Sequence, residues 1–266
     1  MRSLLRGGKP LIGMIHVGAL PGTPRSLDSP DTLARRAADE ARSYRDAGID
    51  ALAIENMHDR PYLNRHVGPE VVAAMTRVAD AVKAAAGIPC GIQILAGANA
   101  EALAVARAAG LDFVRVEGFV FSHVADEGLM QGMAGELLRY RRSIGADDVL
   151  VLADVKKKHA SHAITADVDI AETARAAELF LADGVVVTGA RTGSPALLDD
   201  LAAVKRATGV PVLVGSGITR GNVGEYLELA DGLIVGSALK RGGDWAEPVD
   251  PERVRELVVQ VQRLRR

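Results

Sequence analysis

Two short stretches near the end of the chain run from apolar residues into glycine and serine. Residues 212–219 read VLVGSGIT and residues 232–240 read GLIVGSALK. Gly215, Ser216 and Gly217, and again Gly236 and Ser237, offer backbone N–H groups with almost no side chain in the way. Two adjacent turns of this kind can surround a phosphate dianion, because amide dipoles and a helix N-terminus favour negative charge. The phosphate could belong to a sugar phosphate, a nucleotide or a phosphorylated cofactor, and no motif specifies a cofactor. A second set of residues follows other apolar runs: His16, Glu55, Asn56, Arg115, Glu117, Asp154, Lys156 and Thr188, with Thr192 on the polar rim beyond. Ionisable groups meeting in a partly buried mouth shift one another's pKa values, as acid–base catalysis requires.

Each of these residues has two readings. Glu55 and Asp154 compete for the role of general base; Glu55 could instead pair with Arg115 or Lys156, and Asp154 could be structural support. Lys156 suits an anion grip or a Schiff base, whereas Lys157 and Lys158 read as a solvated loop. His16 is an acid or base, or a hydrogen-bonded core residue. Asn56, Arg115, Glu117, Thr188 and Thr192 are candidates for holding a substrate. His16, Glu55, Asp154 and His159 include metal-ligand types, but no tight spacing such as His-Glu-x-x-His occurs, so metal use stays open. Cys90 lies within an apolar strand and reads as core packing.

These residues need a scaffold that brings strand ends together. Apolar runs at residues 10–17, 51–55, 90–95, 113–116, 149–155, 184–188, 212–214 and 232–235 predict eight strands. Between them lie amphipathic segments with helix signals: Ser29-Pro30, Gly68-Pro69, Asn99, Ser194-Pro195 and Asp250-Pro251 at the starts, Gly48, Gly87 and Gly110 at the ends. The remaining helices are expected over 134–143, 168–182 and 222–229. Strict β–α alternation demands parallel strands with right-handed crossovers. A doubly wound open sheet usually carries its glycine fingerprint after the first strand. Here the Gly-Ser turns follow the last two strands, where a (β/α)8 TIM barrel places a phosphate site. The expectation is an α/β chain with one barrel domain over residues 1–266. Residues 117–132 break the pattern, being neither cleanly helical nor alternating, and are expected to form a mobile lid.

Composition narrows the function classes. The 266 residues are 48% hydrophobic, 25% charged and only 3% aromatic, with a formal net charge of -2. No global field would attract nucleic acid; the basic runs are confined to Lys156-Lys157-Lys158 and the tail Arg263, Arg265, Arg266. The single cysteine excludes an intrachain disulfide and points to a reducing, cytoplasmic compartment. Lys9, Pro10 and His16 interrupt the apolar N-terminal stretch, which reads as a strand and not a signal peptide. No stretch is long enough to insert across a bilayer. The sequence is compatible with a homo-oligomer without specifying one.

Taken together, several motifs resemble the BtpA/SgcQ family. They are Gly13-Met14-Ile15-His16 followed by Leu20-Pro21-Gly22-Thr23-Pro24; Ile54-Glu55-Asn56; Ala153-Asp154-Val155 with Lys158-His159; Val187-Thr188-Gly189; and the two Gly-Ser turns. The resemblance runs from about residue 9 to about residue 258. It implies a TIM barrel of the ribulose-phosphate-binding type. The family's name comes from a role in photosystem I biogenesis, and other members belong to bacteria with no photosystem. The stretch EGFVFSH at residues 117–123 departs from the Asn-containing exit of strand four in many members and marks a subgroup. The leading expectation is an enzyme acting on a phosphorylated small molecule by acid–base chemistry, of isomerase or lyase type. The alternatives are an assembly factor using the barrel as an interaction body, and a phosphate-ligand-binding protein without chemistry.

Overall fold

The computed structural model describes residues 1–265, so Arg266 of the basic tail lies outside the described residues. Eight parallel strands close on themselves: β1 (Leu11–His16), β2 (Ala51–Glu55), β3 (Cys90–Gln93), β4 (Phe113–Val116), β5 (Leu150–Val155), β6 (Gly184–Val187), β7 (Val212–Val214) and β8 (Gly232–Val235). Each strand pairs with its sequence neighbours, and β8 returns to β1 in the register Leu11 with Leu233. Helices α1 (Pro30–Asp46), α2 (Pro69–Ala86), α3 (Asn99–Ala108), α4 (Ala134–Ser143), α5 (Ile170–Leu179), α6 (Leu198–Ala207), α7 (Val223–Leu229) and α8 (Pro251–Leu264) alternate with them. The expected TIM barrel is the observed fold.

The strands are buried on both faces, as their unbroken apolar runs require. Side chains alternate between faces with a period of two. Leu52, Ile54, Val114, Val116, Val185 and Val187 point outward into the layer shared with the helices. Met14, Ala53, Phe113, Leu152, Val186, Leu213 and Ile234 fill the barrel interior. A short helix, Arg2–Leu5, precedes β1 and delivers Leu5 to that interior cluster. One inward step further along each strand come His16, Glu55, Arg115, Asp154, Thr188, Gly215 and Gly236. The backbone thus converts an apolar plug into a polar floor within one pleat.

Three local expectations change. Ser194-Pro195 does not start α6, which begins at Leu198 with Leu197 as its N-cap; the Ser194 carbonyl is already taken by the Ser216 hydroxyl at 2.9 Å. Asn99 is the first residue of α3 instead of its cap, and its side-chain amide donates to the Glu117 carbonyl at 2.7 Å. Helix α5 is shorter than residues 168–182: Asp169 caps it by accepting from the Glu172 N–H at 2.6 Å, and Leu181 adopts a left-handed φ of 67° beyond its end.

Residues 117–132 are ordered into more structure than a lid. His123–Ala125 and Gly128–Met130 form an antiparallel hairpin, extended by Ala160–Ser161 into a three-stranded sheet. Phe119 and Met130 are buried. The Asn64 side chain ties the hairpin down by donating to the Glu127 and Leu129 carbonyls at 3.0 and 3.2 Å. Strands of three residues are too short to show a readable alternation, which is why the pattern looked irregular. Hydrogen exchange is expected to protect the Val124 and Met130 region more than the turn at Asp126 and Glu127, and less than β4 and β5. Uniformly fast exchange across 123–130 would instead make the hairpin a mobile flap.

Candidate functional site

The polar floor opens into a cavity of 510 Å³ at the C-terminal end of the strands. His16, Glu55, Arg115 and Lys158 line it together with both Gly-Ser turns and Thr192. Lines of chain far apart in sequence meet there because barrel closure places β8 beside β1.

Arg115 and Asp154 form a bidentate ion pair, Nε to Oδ1 at 2.8 Å and Nη2 to Oδ2 at 2.9 Å. Both side chains are almost fully enclosed, at 4% and 1% exposure. Burial works against the guanidinium charge, but Asp154 outweighs it and leaves the Arg115 pKa above its ordinary value. The pair exists because β4 and β5 are adjacent, with Arg115 in register with Leu152, two residues before Asp154. Asp154 is therefore committed to Arg115 and does not line the main cavity, so it is poorly placed as the general base.

The lysine triplet divides three ways. Lys156 turns away through a left-handed φ of 46°, and its Nζ donates to the Thr165 carbonyl at 3.2 Å. Lys157, expected in solvent, is buried and pairs with Glu117 at 3.1 Å; burial opposes its charge, and Glu117 more than restores it, so its pKa rises. Lys158, also expected in solvent, is the lysine that lines the cavity. Its backbone N–H donates to Thr188 Oγ1 at 3.2 Å, which assigns Thr188 to holding the loop. The alternation that carries Asp154 inward does not extend through a turn of positive φ, so Lys158 and not Lys156 reaches the cavity.

Glu55 and Lys158 are the uncommitted groups. Burial raises the Glu55 pKa, partly opposed by Arg115 and Lys158. Burial, and then Arg115, lowers the Lys158 pKa. The ionisable group closest to Glu55 is His16, with Nε2 at 3.7 Å from Oε2. That contact is not an ion pair at neutral pH, because burial and the Lys240 ammonium push His16 down to about 3. The His16 ring is fixed by Nδ1, which donates to the Trp245 carbonyl at 2.8 Å. Its Nε2 is therefore a lone-pair acceptor facing Glu55. Trp245 sits in the loop after β8, stacked near His58 and beneath the Arg60 guanidinium, whose carbon lies 4.8 Å from the ring centroid.

Asn56 does not reach the cavity. Its Oδ1 accepts from the Leu95 N–H at 2.7 Å and its Nδ2 donates to Asp59 Oδ2 at 3.1 Å, so it joins the exits of β2 and β3. Thr192 lines the cavity and is bound to His159, whose Nε2 accepts from the Thr192 N–H at 3.2 Å. That places His159 apart from His16 and Glu55; among the described residues, no three His, Cys, Asp or Glu side chains cluster in a way that could hold a metal ion.

The turns themselves are tightly built. Among the described residues no protein acceptor takes the N–H of Ser216, Gly217, Gly236 or Ser237. The Ser216 hydroxyl accepts from the Gly189 N–H at 2.6 Å, binding the β7 exit to the β6 exit. Gly217 has a φ of 68°, and a Cβ there would lie 2.3 Å from the Pro195 backbone. A side chain at Gly217 would thus disrupt loop packing before it met any ligand. At Gly236 a Cβ would come 3.2 Å from His16 Nε2.

Two residues of this site escaped sequence reasoning. Gln93 ends β3 in register with Glu55, is 2% exposed, and its Oε1 has no protein partner. A lone polar residue in CGIQIL, spaced two from Gly91, was the available signal. Trp245 is the chain's one tryptophan, set in a glycine-rich loop, and its carbonyl was not readable from sequence at all.

A closed parallel barrel with its unpaired polar groups gathered at the strand C-termini defines the molecule as a (β/α)8 barrel of the kind that carries its sites in the βα loops. The chain belongs to the BtpA family, whose sequence profile matches residues 7–263. A Caenorhabditis elegans protein described as uncharacterized and mitochondrial is 46% identical over 269 residues, spanning 99% of this chain and 97% of the relative. The photosystem I biogenesis protein BtpA of Synechocystis is 40% identical over 246 residues, spanning 92% of this chain and 85% of the relative. Among solved structures, thiamine phosphate pyrophosphorylase from Pyrococcus furiosus matches with a TM-score of 0.60 at 17% identity over 98% of both chains, a likeness of fold. No helix among the described residues is long and apolar enough to cross a membrane.

Proposed function

We propose that this protein is an enzyme acting on a phosphorylated small molecule, by proton transfer in an isomerase- or lyase-type reaction. The phosphate lies against the N–H groups of Ser216, Gly217, Gly236 and Ser237. The rest of the ligand extends over Glu55, His16 and Lys158. The observation that carries this reading is the shared cavity, which holds free backbone donors and uncommitted ionisable groups together. Closed pairs such as Arg115–Asp154 and Lys157–Glu117 would serve a binding protein equally well. An unpaired Glu55 and an unpaired Lys158 are costly in a buried site, and chemistry is the use that explains retaining both.

Inorganic phosphate is the first probe. Titration followed by amide NMR is expected to shift Gly217 and Ser237 together, with one dissociation constant. Ser237→Glu, which sets a like charge at the turn, is expected to weaken phosphate binding by about tenfold or more. Gly217→Val is unsuitable for this purpose, because it collides with Pro195. Phosphate shifts confined to surface arginines, with both turns silent, would remove the phosphate site and with it this reading.

A further inference from the structure

We infer that Lys158 is a nucleophile, whose ε-amine condenses with the carbonyl carbon of a phosphorylated aldehyde or ketone to form an imine. This rests on the proposed phosphate site and adds to it a covalent step and a substrate class. The argument starts from the fates of the three consecutive lysines. Lys156 Nζ is held by the Thr165 carbonyl at 3.2 Å. Lys157 Nζ is held by Glu117 at 3.1 Å. Lys158 is anchored through its backbone, by Thr188, and its side chain enters the cavity beside Glu55 and Arg115.

Among the described residues no carboxylate lies within ion-pair distance of Lys158 Nζ, and no acceptor takes its hydrogens. Two of the carboxylates that could neutralise it are engaged, Asp154 by Arg115 and Glu117 by Lys157, and Glu55 offsets the lowering only in part. An ammonium so placed is penalised by desolvation and by the adjacent guanidinium, and both effects favour the neutral amine. A neutral amine with a free lone pair, next to a cation, is the arrangement that activates lysine toward carbonyl carbon.

Glu55 completes the step. Burial favours its neutral carboxyl form, which can donate a proton. The amine nitrogen attacks the carbonyl carbon, a C–N bond forms, and the π electrons move to oxygen, which takes a proton from Glu55. Nitrogen then returns a proton to the Glu55 carboxylate. Protonation of the carbinolamine hydroxyl lets the C–O bond break, and water leaves. Amine and carbonyl thus give imine and water, with no oxidant or reductant. The protonated imine draws electrons from the neighbouring carbon, so that a C–H or C–C bond there can be broken, which is what an isomerase or lyase requires. The Glu55 carboxylate left when the hydroxyl is protonated lines the same cavity and can receive a proton in that later step.

The test uses pyridoxal 5′-phosphate, a phosphorylated aldehyde, with the full-length protein. After sodium borohydride reduction, peptide mass mapping is expected to find the adduct chiefly on Lys158, and excess inorganic phosphate is expected to slow its formation. Lys158→Arg, which cannot form an imine, is expected to lose the adduct while retaining phosphate-dependent shifts at Gly217 and Ser237. Reduced adduct spread over surface lysines with Lys158 unmodified overturns the proposal even where phosphate still shifts both turns. Adduct on Lys158 that phosphate does not slow keeps the nucleophile and overturns the phosphate site instead. The wild-type mapping decides the matter even if the Lys158→Arg protein does not fold.

Discussion

Replacing Asp154 with leucine is expected to lower the unfolding free energy by about 3–5 kcal/mol, because it leaves the Arg115 guanidinium buried without a counter-charge. The expectation follows from geometry. Both hydrogen bonds of the pair are short and aligned, and neither side chain has solvent to fall back on. A loss of this size is a large share of the 5–15 kcal/mol typical of folded domains, so chemical denaturation would show it plainly. The double replacement Arg115→Met with Asp154→Leu should recover most of the loss, since two apolar side chains avoid the desolvation cost that the pair must offset. A single-mutant loss below about 1 kcal/mol would place the pair among weakly coupled ones. Asp154 would then be free to act as a base, and the division of roles drawn above would be wrong.

The second large effect concerns Glu55. Glu55→Gln is expected to reduce turnover by about a hundredfold or more while making the fold more stable at neutral pH. The sign follows from burial. The folded-state pKa of Glu55 is raised, so the neutral form is the one the fold prefers. That preference adds stability fully below the unfolded pKa and loses it as pH rises through the folded one. At neutral pH any ionisation of Glu55 in the wild type works against its burial, whereas glutamine would carry no charge. The variant's advantage should therefore be present at pH 7 and shrink toward pH 4, as wild-type Glu55 protonates. Denaturation midpoints at the two pH values give the measurement. Equal stability of the two proteins at pH 7 would mean that Glu55 is well solvated or paired, and would undercut its role as a proton donor. Activity lost together with stability gained is the signature of a group retained for function.

Much of the barrel could be read from the sequence because its strands are buried on both faces. Runs such as Val212-Leu213-Val214 and Leu233-Ile234-Val235 need no alternation to be recognised, and each is followed by glycine. The inward row of His16, Glu55, Arg115 and Asp154 was also legible, since a period of two carries on past the last apolar residue. Three things were not. The pairing of Arg115 with Asp154 depends on which strands are neighbours and on the side-chain torsions, so sequence left Asp154 and Glu55 equivalent. The choice among Lys156, Lys157 and Lys158 depends on a left-handed turn at Lys156, a conformation that lysine does not advertise. The hairpin at 123–130 is built from strands of three residues, held by Asn64 from a distant loop. Each miss marks a place where contacts between remote segments, and not local pattern, decide the backbone.

The exits of β6 and β7 are knotted together by Ser216, which bonds to both Gly189 and Ser194, and by the close passage of Gly217 over Pro195. This has a consequence for how such barrels diversify. An insertion or deletion in either loop breaks contacts in both, so that these two exits must change as a unit or not at all. The hairpin tip is braced more lightly: Asp126 is exposed, Asn64 bonds the Glu127 and Leu129 carbonyls, and Ala125 pairs with Ala160. Rebuilding that tip keeps the Ser216 and Gly217 contacts, and its link to the knotted side runs through His159, which lies 4.0 Å from Asp126 and bonds to Ala190 and Thr192. Descendants of one ancestral barrel can therefore acquire new preferences at the hairpin tip while inheriting the knot intact, and a laboratory library aimed at altered selectivity belongs at residues 126–129 and not at 189–195.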